Sequence, residues 1–139
     1  MVNENALDII REYFKSREDV TAVYLFGSTV KNKERIGSDL DLALLFKEGL
    51  EPYHRFQTKL QLTNELEDLM KHKIDIVDLR SADPFFVHQV MKNKILVFDR
   101  HIFERVAFEV NCRKMFFDFM PIHEQYQRQA RKRLRERRG

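Results

Sequence analysis

The chain has 139 residues, of which 43% are hydrophobic and 34% are charged, and its formal net charge is +3. This length suits one domain, and the hydrophobic content is enough for an ordinary core, so the composition excludes a globally disordered protein. A single cysteine excludes an internal disulfide. No apolar run approaches the roughly 18 residues that cross a membrane, and the histidines show no zinc-type spacing, so we expect a cytoplasmic protein without zinc.

The periodicity of apolar residues predicts alternating helices and strands. The predicted helices cover residues 3–17, 28–35 and 53–70, and the predicted strands cover residues 21–26, 38–46 and 73–79. A further helix begins at Pro84, a short apolar segment follows at residues 95–98, and a long C-terminal helical region is interrupted near Pro121. This order predicts a compact α/β domain with one small sheet.

Two aspartates stand two positions apart at the start of the second predicted strand. Asp39 and Asp41 project from the same face of that strand, about 7 Å apart along the chain. Two ionised carboxylates at this spacing repel each other unless a cation lies between them. Oxygen-only ligands suit magnesium, which completes its coordination with water and substrate phosphates. The pair therefore predicts a magnesium site.

The third predicted strand supplies a further candidate ligand. Asp75 alternates with Ile74 and Ile76, so it faces away from them and joins the first two aspartates if the two strands are neighbours. Asp78 competes for this role but has the same parity as the two isoleucines. In a two-metal displacement, a third carboxylate holds the second ion and helps to take the proton of the attacking hydroxyl. We therefore assign Asp75 to the site.

A Gly-Ser pair follows the first predicted strand. Gly27 leaves room for a phosphate beside the backbone, and Ser28 caps the predicted short helix and offers its hydroxyl and nearby amides to phosphate oxygens. An Asp-x-Asp motif or a Gly-Ser pair is common on its own, at strand ends and in turns. Their combination predicts a phosphate-binding turn opposite a metal site.

The motifs together resemble the minimal nucleotidyltransferases of the polymerase β-like superfamily. They are Gly27-Ser28, a gap of ten residues, Asp39-x-Asp41 and the later Asp75. The resemblance extends over roughly the whole chain, and the chain size and helical C-terminus are similar to those of the MntA antitoxins encoded with HEPN-domain toxins. It implies an α/β (α+β) nucleotidyltransferase fold, in which a small mixed sheet is flanked by helices.

The resemblance also implies an activity. The donor is ATP, the cofactor is magnesium as two ions, and the acceptor is a tyrosine hydroxyl of a HepT-type RNase toxin, which AMP attachment blocks. The Gly-Ser pair corresponds to the nucleotide-holding turn, and the three aspartates correspond to the metal ligands. Residues 1–100 correspond to the nucleotidyltransferase core, and residues 101–139 form a helical extension of the same domain with a basic tail.

The segment after the Gly-Ser pair departs from the family pattern. Many relatives have a small residue, Arg and Gly there, where this chain has Thr29, Val30 and Lys31. The basic residue that contacts the triphosphate could therefore be Lys31, Lys33 or Arg35. Of these three, we assign Lys31 to the nucleotide. The metal ligands are unaffected by this difference.

Charge is unevenly distributed along the chain. Residues 126–139 contain seven basic residues and one acidic residue, a charge of +6, so the rest of the chain carries −3. Apolar residues recur at every fourth position from Ile122 to Leu134, which predicts a helix with one apolar stripe on a basic surface. Such a tail suits an acidic toxin surface or RNA phosphates, and a solvated terminus is an equal alternative. No aromatic platform lies between the arginines, which disfavours specific RNA recognition.

Three functions fit these features. The first is AMP transfer to a protein toxin. The second is a non-catalytic antitoxin that acts by stoichiometric binding, against which the intact set of three aspartates argues. The third is the same chemistry on a small molecule or an RNA end, although the 139 residues show no clear second domain that would hold such an acceptor.

Overall fold

The computed structural model of the chain describes residues 4–27 and 40–138, which contain four helices and four strands. The helices are α1 (Glu4–Lys15), α2 (Pro52–Met70), α3 (Pro84–Lys92) and α4 (Ile102–Arg138). The strands are β1 (Val20–Phe26), β2 (Leu40–Phe46), β3 (Ile74–Asp78) and β4 (Ile95–Asp99). The helix predicted at residues 28–35 lies outside the described residues. None of the described helices is both long and apolar enough to cross a membrane.

The four strands form one mixed sheet in the order β3-β2-β1-β4. β2 is parallel to β3 and antiparallel to β1, and β4 is antiparallel to β1 at the other edge. This arrangement confirms the predicted small mixed sheet flanked by helices. The segment at residues 95–98, predicted only as apolar, belongs to the fourth strand, and its pairing with β1 gives the backbone groups on that side of β1 their hydrogen-bond partners.

Helices cover both faces of the sheet. On the first face, Leu42 and Leu44 of β2 pack against α1 and α2. On the second face, Ala43 and Leu45 pack against α3 and α4. Side chains alternate along a strand, so the odd-numbered residues of β2 belong to the second face. Asp41 is the first of these residues and therefore lies on the second face.

The C-terminal helix differs from the prediction. The sequence predicts an interruption near Pro121, but α4 continues through this residue, so the prediction is wrong. The turns on both sides of the proline pack against α3. Phe116 stacks on His88 with ring centroids 3.7 Å apart, and the His123 ring lies 4.3 Å from that of Phe85. These contacts hold the helix together despite the backbone hydrogen bond that proline removes.

Candidate active site

The end of β1 lies beside the start of β2, where Asp41 is located. Phe26 and Asp41 are register partners, so the following residue, Gly27, lies next to the Asp41 carboxylate. A Cβ added to Gly27 would collide with Oδ2 of that carboxylate and lie 3.2 Å from its Cγ. Gly27 also has a φ of +81°, which residues with a side chain rarely adopt. The backbone conformation therefore favours glycine at this position, and a side chain here would displace the Asp41 carboxylate.

The two described aspartates of the predicted site lie on neighbouring strands. β2 and β3 are parallel, and Asp41 is the register partner of Asp75. Register partners project to the same face of a sheet, and Ile74 and Ile76 are buried on the opposite face. Asp75 is exposed, whereas Asp41 is half-buried. The structure thus places the two aspartates side by side on the second face, as the sequence predicts for neighbouring strands.

Two carboxylates in register on adjacent strands repel each other, which favours a cation between them. Carboxylate oxygens suit a hard ion such as Mg²⁺. Because Asp75 is exposed, an ion bound there can also keep water and phosphate ligands. Within residues 4–27 and 40–138, no group of three His, Cys, Asp or Glu residues could hold a metal ion. Asp39, the third predicted ligand, lies outside those residues. The fit of this site to a metal ion therefore rests on Asp41 and Asp75.

Several predicted site residues lie outside the described part of the chain. They are Ser28, Lys31, Lys33, Arg35 and Asp39. The predicted site residues that the structure does describe are Gly27, Asp41 and Asp75. The structure brings these three together, because Gly27 lies next to the Asp41 carboxylate and Asp75 is the register partner of Asp41.

Asp78, the competing candidate on β3, has a closed environment. Its carboxylate pairs with the Arg55 guanidinium of α2 at 3.1 Å, and the two side chains are only 9% and 11% exposed. It also accepts a hydrogen bond of 3.0 Å from the Ser81 hydroxyl and another of 3.0 Å from the Arg80 backbone N–H. Because its oxygens are occupied by these donors, Asp78 fixes the end of β3 and is not available to a ligand.

An aromatic pair borders the site. Phe26, the register partner of Asp41, contacts Phe86 of α3 edge-to-face, with ring centroids 6.0 Å apart. Phe86 is 41% exposed, so part of its ring is open to solvent. Sequence reasoning missed this pair. The signal that could have found half of it is the position of Phe26, which directly precedes Gly27 at the end of β1.

Two potentially reactive side chains on the second face show no catalytic activation. Burial raises the pKa of the Cys112 thiol, so this thiol stays protonated at neutral pH. Burial also raises the pKa of the Tyr24 hydroxyl. Both residues belong to the packed layer between the sheet and the helices α3 and α4. These environments indicate that Cys112 and Tyr24 are packing residues.

The region that carries the site matches a known protein family. The family described as "Polymerase beta, Nucleotidyltransferase" matches residues 8–102, which include Gly27, Asp41 and Asp75. The chain belongs to this family. Together with the relatives below, this match identifies the chain as a member of the minimal nucleotidyltransferase family.

This nucleotidyltransferase is similar to proteins of toxin–antitoxin pairs. It is 31% identical over 90 residues to the protein adenylyltransferase MntA of Shewanella oneidensis, and the alignment covers 65% of this chain and 60% of that protein. The chain thus spans about three fifths of the length of that relative. A crystal structure of a variant of the toxin–antitoxin pair MntA–HpeT matches with a TM-score of 0.65 and 26% identity, over 93% of this chain and 94% of that chain. A toxin–antitoxin crystal structure with AMP-PNP matches with a TM-score of 0.64 and 27% identity, over the same shares of the two chains.

Proposed function

We propose that this nucleotidyltransferase is an antitoxin that transfers AMP from ATP to a tyrosine hydroxyl of a cognate HEPN-type RNase toxin. The attached AMP neutralises the toxin, and both proteins act in the cytoplasm, where cellular RNA is found. The observation that carries the proposal is the pairing of Asp41 with Asp75 beside Gly27. The similarity to MntA and to a toxin–antitoxin structure with AMP-PNP supports the donor and the kind of acceptor.

The aspartates hold the metal and move a proton in this proposal. Asp39, Asp41 and Asp75 hold two Mg²⁺ ions, which when bound neutralise triphosphate charge and lower the pKa of the attacking hydroxyl. Asp75 is the exposed member of the described pair, so it is accessible to an acceptor that approaches from solvent. It accepts the proton that the hydroxyl releases.

The transfer is a substitution at the α-phosphorus of ATP. The acceptor oxygen forms a bond to this phosphorus, the bond to the bridging oxygen of the β-phosphate breaks, and the electron pair leaves with pyrophosphate. Gly27, which has no side chain, lets the triphosphate approach the backbone. The Ser28 hydroxyl and the Lys31 ammonium group bind phosphate oxygens and orient the donor.

Residues 1–100 form the catalytic core in this proposal, and residues 101–139 form an extension of the same domain. The start of α4 supports a single domain, because an ion pair ties it to the sheet. Arg105 contacts Asp99 of β4 at 2.7 Å and Glu109 one turn further along α4 at 2.7 Å. These side chains are only 13–21% exposed, so the beginning of the extension packs as part of the core.

The proposal is tested by AMP transfer to the HEPN-type protein encoded with this chain. Purified chain, MgCl₂ and labelled ATP should place label on that protein. Asp39→Asn combined with Asp41→Asn should abolish transfer without unfolding the chain, and EDTA should stop transfer until MgCl₂ is restored. The matched control is Asp8→Asn with Glu12→Gln on α1, where both acids are well exposed and far along the chain from the site.

Three results would contradict parts of the proposal. Label transfer that survives the double aspartate change would refute the assigned metal site. Toxin neutralisation without any label transfer would favour the non-catalytic antitoxin. Label that appears on RNA or on a small molecule, but not on the protein, would favour the remaining alternative.

A further inference from the structure

An apolar groove lies where the beginning of α3 meets α4, and we call it the α3–α4 groove. It is open to solvent and has a volume of about 400 Å³. Apart from an imidazole ring and a phenol hydroxyl, its walls offer no side-chain hydrogen-bonding groups. The lining residues are Pro84, Phe85, Phe119, Ile122, His123 and Tyr126. None of them belongs to the candidate active site, so the groove is a separate surface feature.

The groove continues along α4 as an exposed apolar stripe. Ile122, Tyr126 and Leu134 are spaced by multiples of four residues and are 63%, 69% and 58% exposed. Residues four apart are neighbours on a helix surface, so the stripe extends about 18 Å from Ile122 to Leu134 and winds about a third of the way around the helix. Large apolar side chains exposed in a row, next to an apolar groove, are typical of a surface that another molecule covers.

Cations surround the C-terminal part of this stripe, beyond Tyr126. Residues 126–139 contain seven Arg or Lys residues and one Glu. Among the described residues, none of the cations from Arg128 to Arg137 takes part in an ion pair. Like charges four residues apart on a helix repel each other. Such pairs are Arg128–Lys132, Arg131–Arg135 and Arg133–Arg137. A ligand of this surface must therefore bring negative charge.

The combination of apolar and basic surface favours one kind of binding partner over a second copy of the chain or RNA. A second copy that paired stripe to stripe would bring together two tails of +6 each. RNA would neutralise the cations but leave the groove uncovered, and only Tyr126 offers a ring for base stacking along the stripe. A protein segment with apolar side chains on one side and carboxylates at its edges matches both the groove and the charge.

We propose that the α3–α4 groove and the stripe form a docking site for an acidic amphipathic segment of a partner protein. Its apolar side chains fill the groove and cover Tyr126 and Leu134. Its carboxylates pair with Arg133 and Arg137, which follow Ala130 and Leu134 by three residues and so lie on the same side of the helix. That this partner is also the AMP acceptor rests on the proposed function.

The apolar half of the site is tested by titration calorimetry of the full chain against the co-encoded HEPN-type protein. Tyr126→Ser with Leu134→Ser should weaken binding at least tenfold, because buried apolar anchors dominate protein interfaces. The matched control is Tyr53→Ser with Phe56→Ser on α2, whose side chains are 69% and 53% exposed. This control should bind normally, and both variants should keep the KM for ATP unchanged.

The basic half of the site is tested by the salt dependence of the same binding. Arg133→Glu with Arg137→Glu should weaken binding most at low salt and flatten its salt dependence, because it replaces attraction by repulsion. Lys15→Glu with Lys59→Glu, on the helices of the first face, changes the net charge by the same amount and should have a small effect.

The outcomes separate this docking site from the proposed function. If the stripe variant binds the partner and transfers AMP with an unchanged KM for the partner, the docking site is wrong and the proposed function stands. If binding depends on the stripe but the wild type transfers no AMP, the docking site stands and the proposed function is wrong. A wild-type chain that does not bind this protein overturns the docking site.

Two further results would assign the surface to another occupant. Binding of tRNA that is lost in the charge variant, with partner binding unchanged, would assign the tail to RNA. A dimer of the chain that the stripe variant converts to a monomer, with partner binding unchanged, would assign the stripe to a second copy.

Discussion

The two ends of β3 use the same type of residue in opposite ways. At one end, Asp78 is enclosed by the Arg55 guanidinium and the Ser81 hydroxyl. At the other end, Asp75 is exposed, and its register partner is another carboxylate, that of Asp41. Only two residues separate the two aspartates in the sequence, so their difference comes entirely from what lies next to each carboxylate.

Under the proposed function, this contrast assigns stability to one end of the strand and chemistry to the other. The buried carboxylate near α2 is matched by donors, so it fixes the packing of β3 against its neighbours. The exposed carboxylate of Asp75 is the register partner of a second carboxylate, that of Asp41, and like charges directly opposite each other repel. In the proposed function, a bound cation relieves this repulsion between the two carboxylates.

Replacement of Asp75 by Asn should have the largest effect on activity and almost none on the fold. We expect AMP transfer to fall about a thousandfold, because metal-assisted charge stabilisation supplies several kcal/mol. The free energy of unfolding should rise by less than about 1 kcal/mol, since repulsion with Asp41 is removed. Single-turnover transfer and urea denaturation measure the two quantities. Transfer at the wild-type rate would exclude Asp75 from the site.

Replacement of Asp78 by Ala should show the reverse pattern. Removal of one partner of a largely buried ion pair leaves the Arg55 charge without compensation, so we expect a loss of about 3 kcal/mol in unfolding free energy. Transfer by the folded protein should stay normal at low temperature. Asp8→Ala, which removes an exposed acid, should cost less than about 1 kcal/mol. Equal losses in the two variants would show that the Asp78 cluster does not stabilise the fold.

The smallest expected effect is a difference between alanine substitutions at two glycines that have positive φ. Gly27 and Gly49 have φ values of +81° and +90°, so an alanine at either position should cost about 1–2 kcal/mol in unfolding free energy. A Cβ at Gly49 has no heavy atom within 4 Å, whereas one at Gly27 collides with the Asp41 carboxylate. Gly27→Ala should therefore also raise the KM for ATP, and Gly49→Ala should not. Equal KM values would show that Gly27 has only a backbone role.

Local sequence patterns are enough to place much of the fold. The bounds of α1, α2, β1 and β3 agree with the prediction within two residues, because apolar periodicity is a property of neighbouring residues. The same periodicity predicts that Asp75 and Asp78 lie on opposite faces of the strand. The burial of Ile74, Ile76 and Asp78 confirms this prediction. The roles of these residues in catalysis remain predictions.

Contacts between distant segments explain what the sequence could not predict. Parallel pairing of β2 with β3 brings Asp75 beside Asp41, and no local pattern contains that pairing. β4 was predicted only as an apolar segment, because its strand character depends on β1. The predicted break near Pro121 is wrong because Phe116 and His123 pack against α3 on either side of the proline. Ser28, Lys31 and Asp39 stay predictions, since they lie outside the described residues.

The central position of β2 has a consequence for the dynamics of the molecule. β2 is hydrogen-bonded to β1 on one side and to β3 on the other. Amides in such a strand exchange with deuterium only when the whole sheet opens, whereas the exposed end of α4 exchanges by local fraying. We therefore expect the backbone at Asp41 to be among the last described parts of the molecule to open, whereas Asp75 lies on the edge strand β3, which is hydrogen-bonded on one side only.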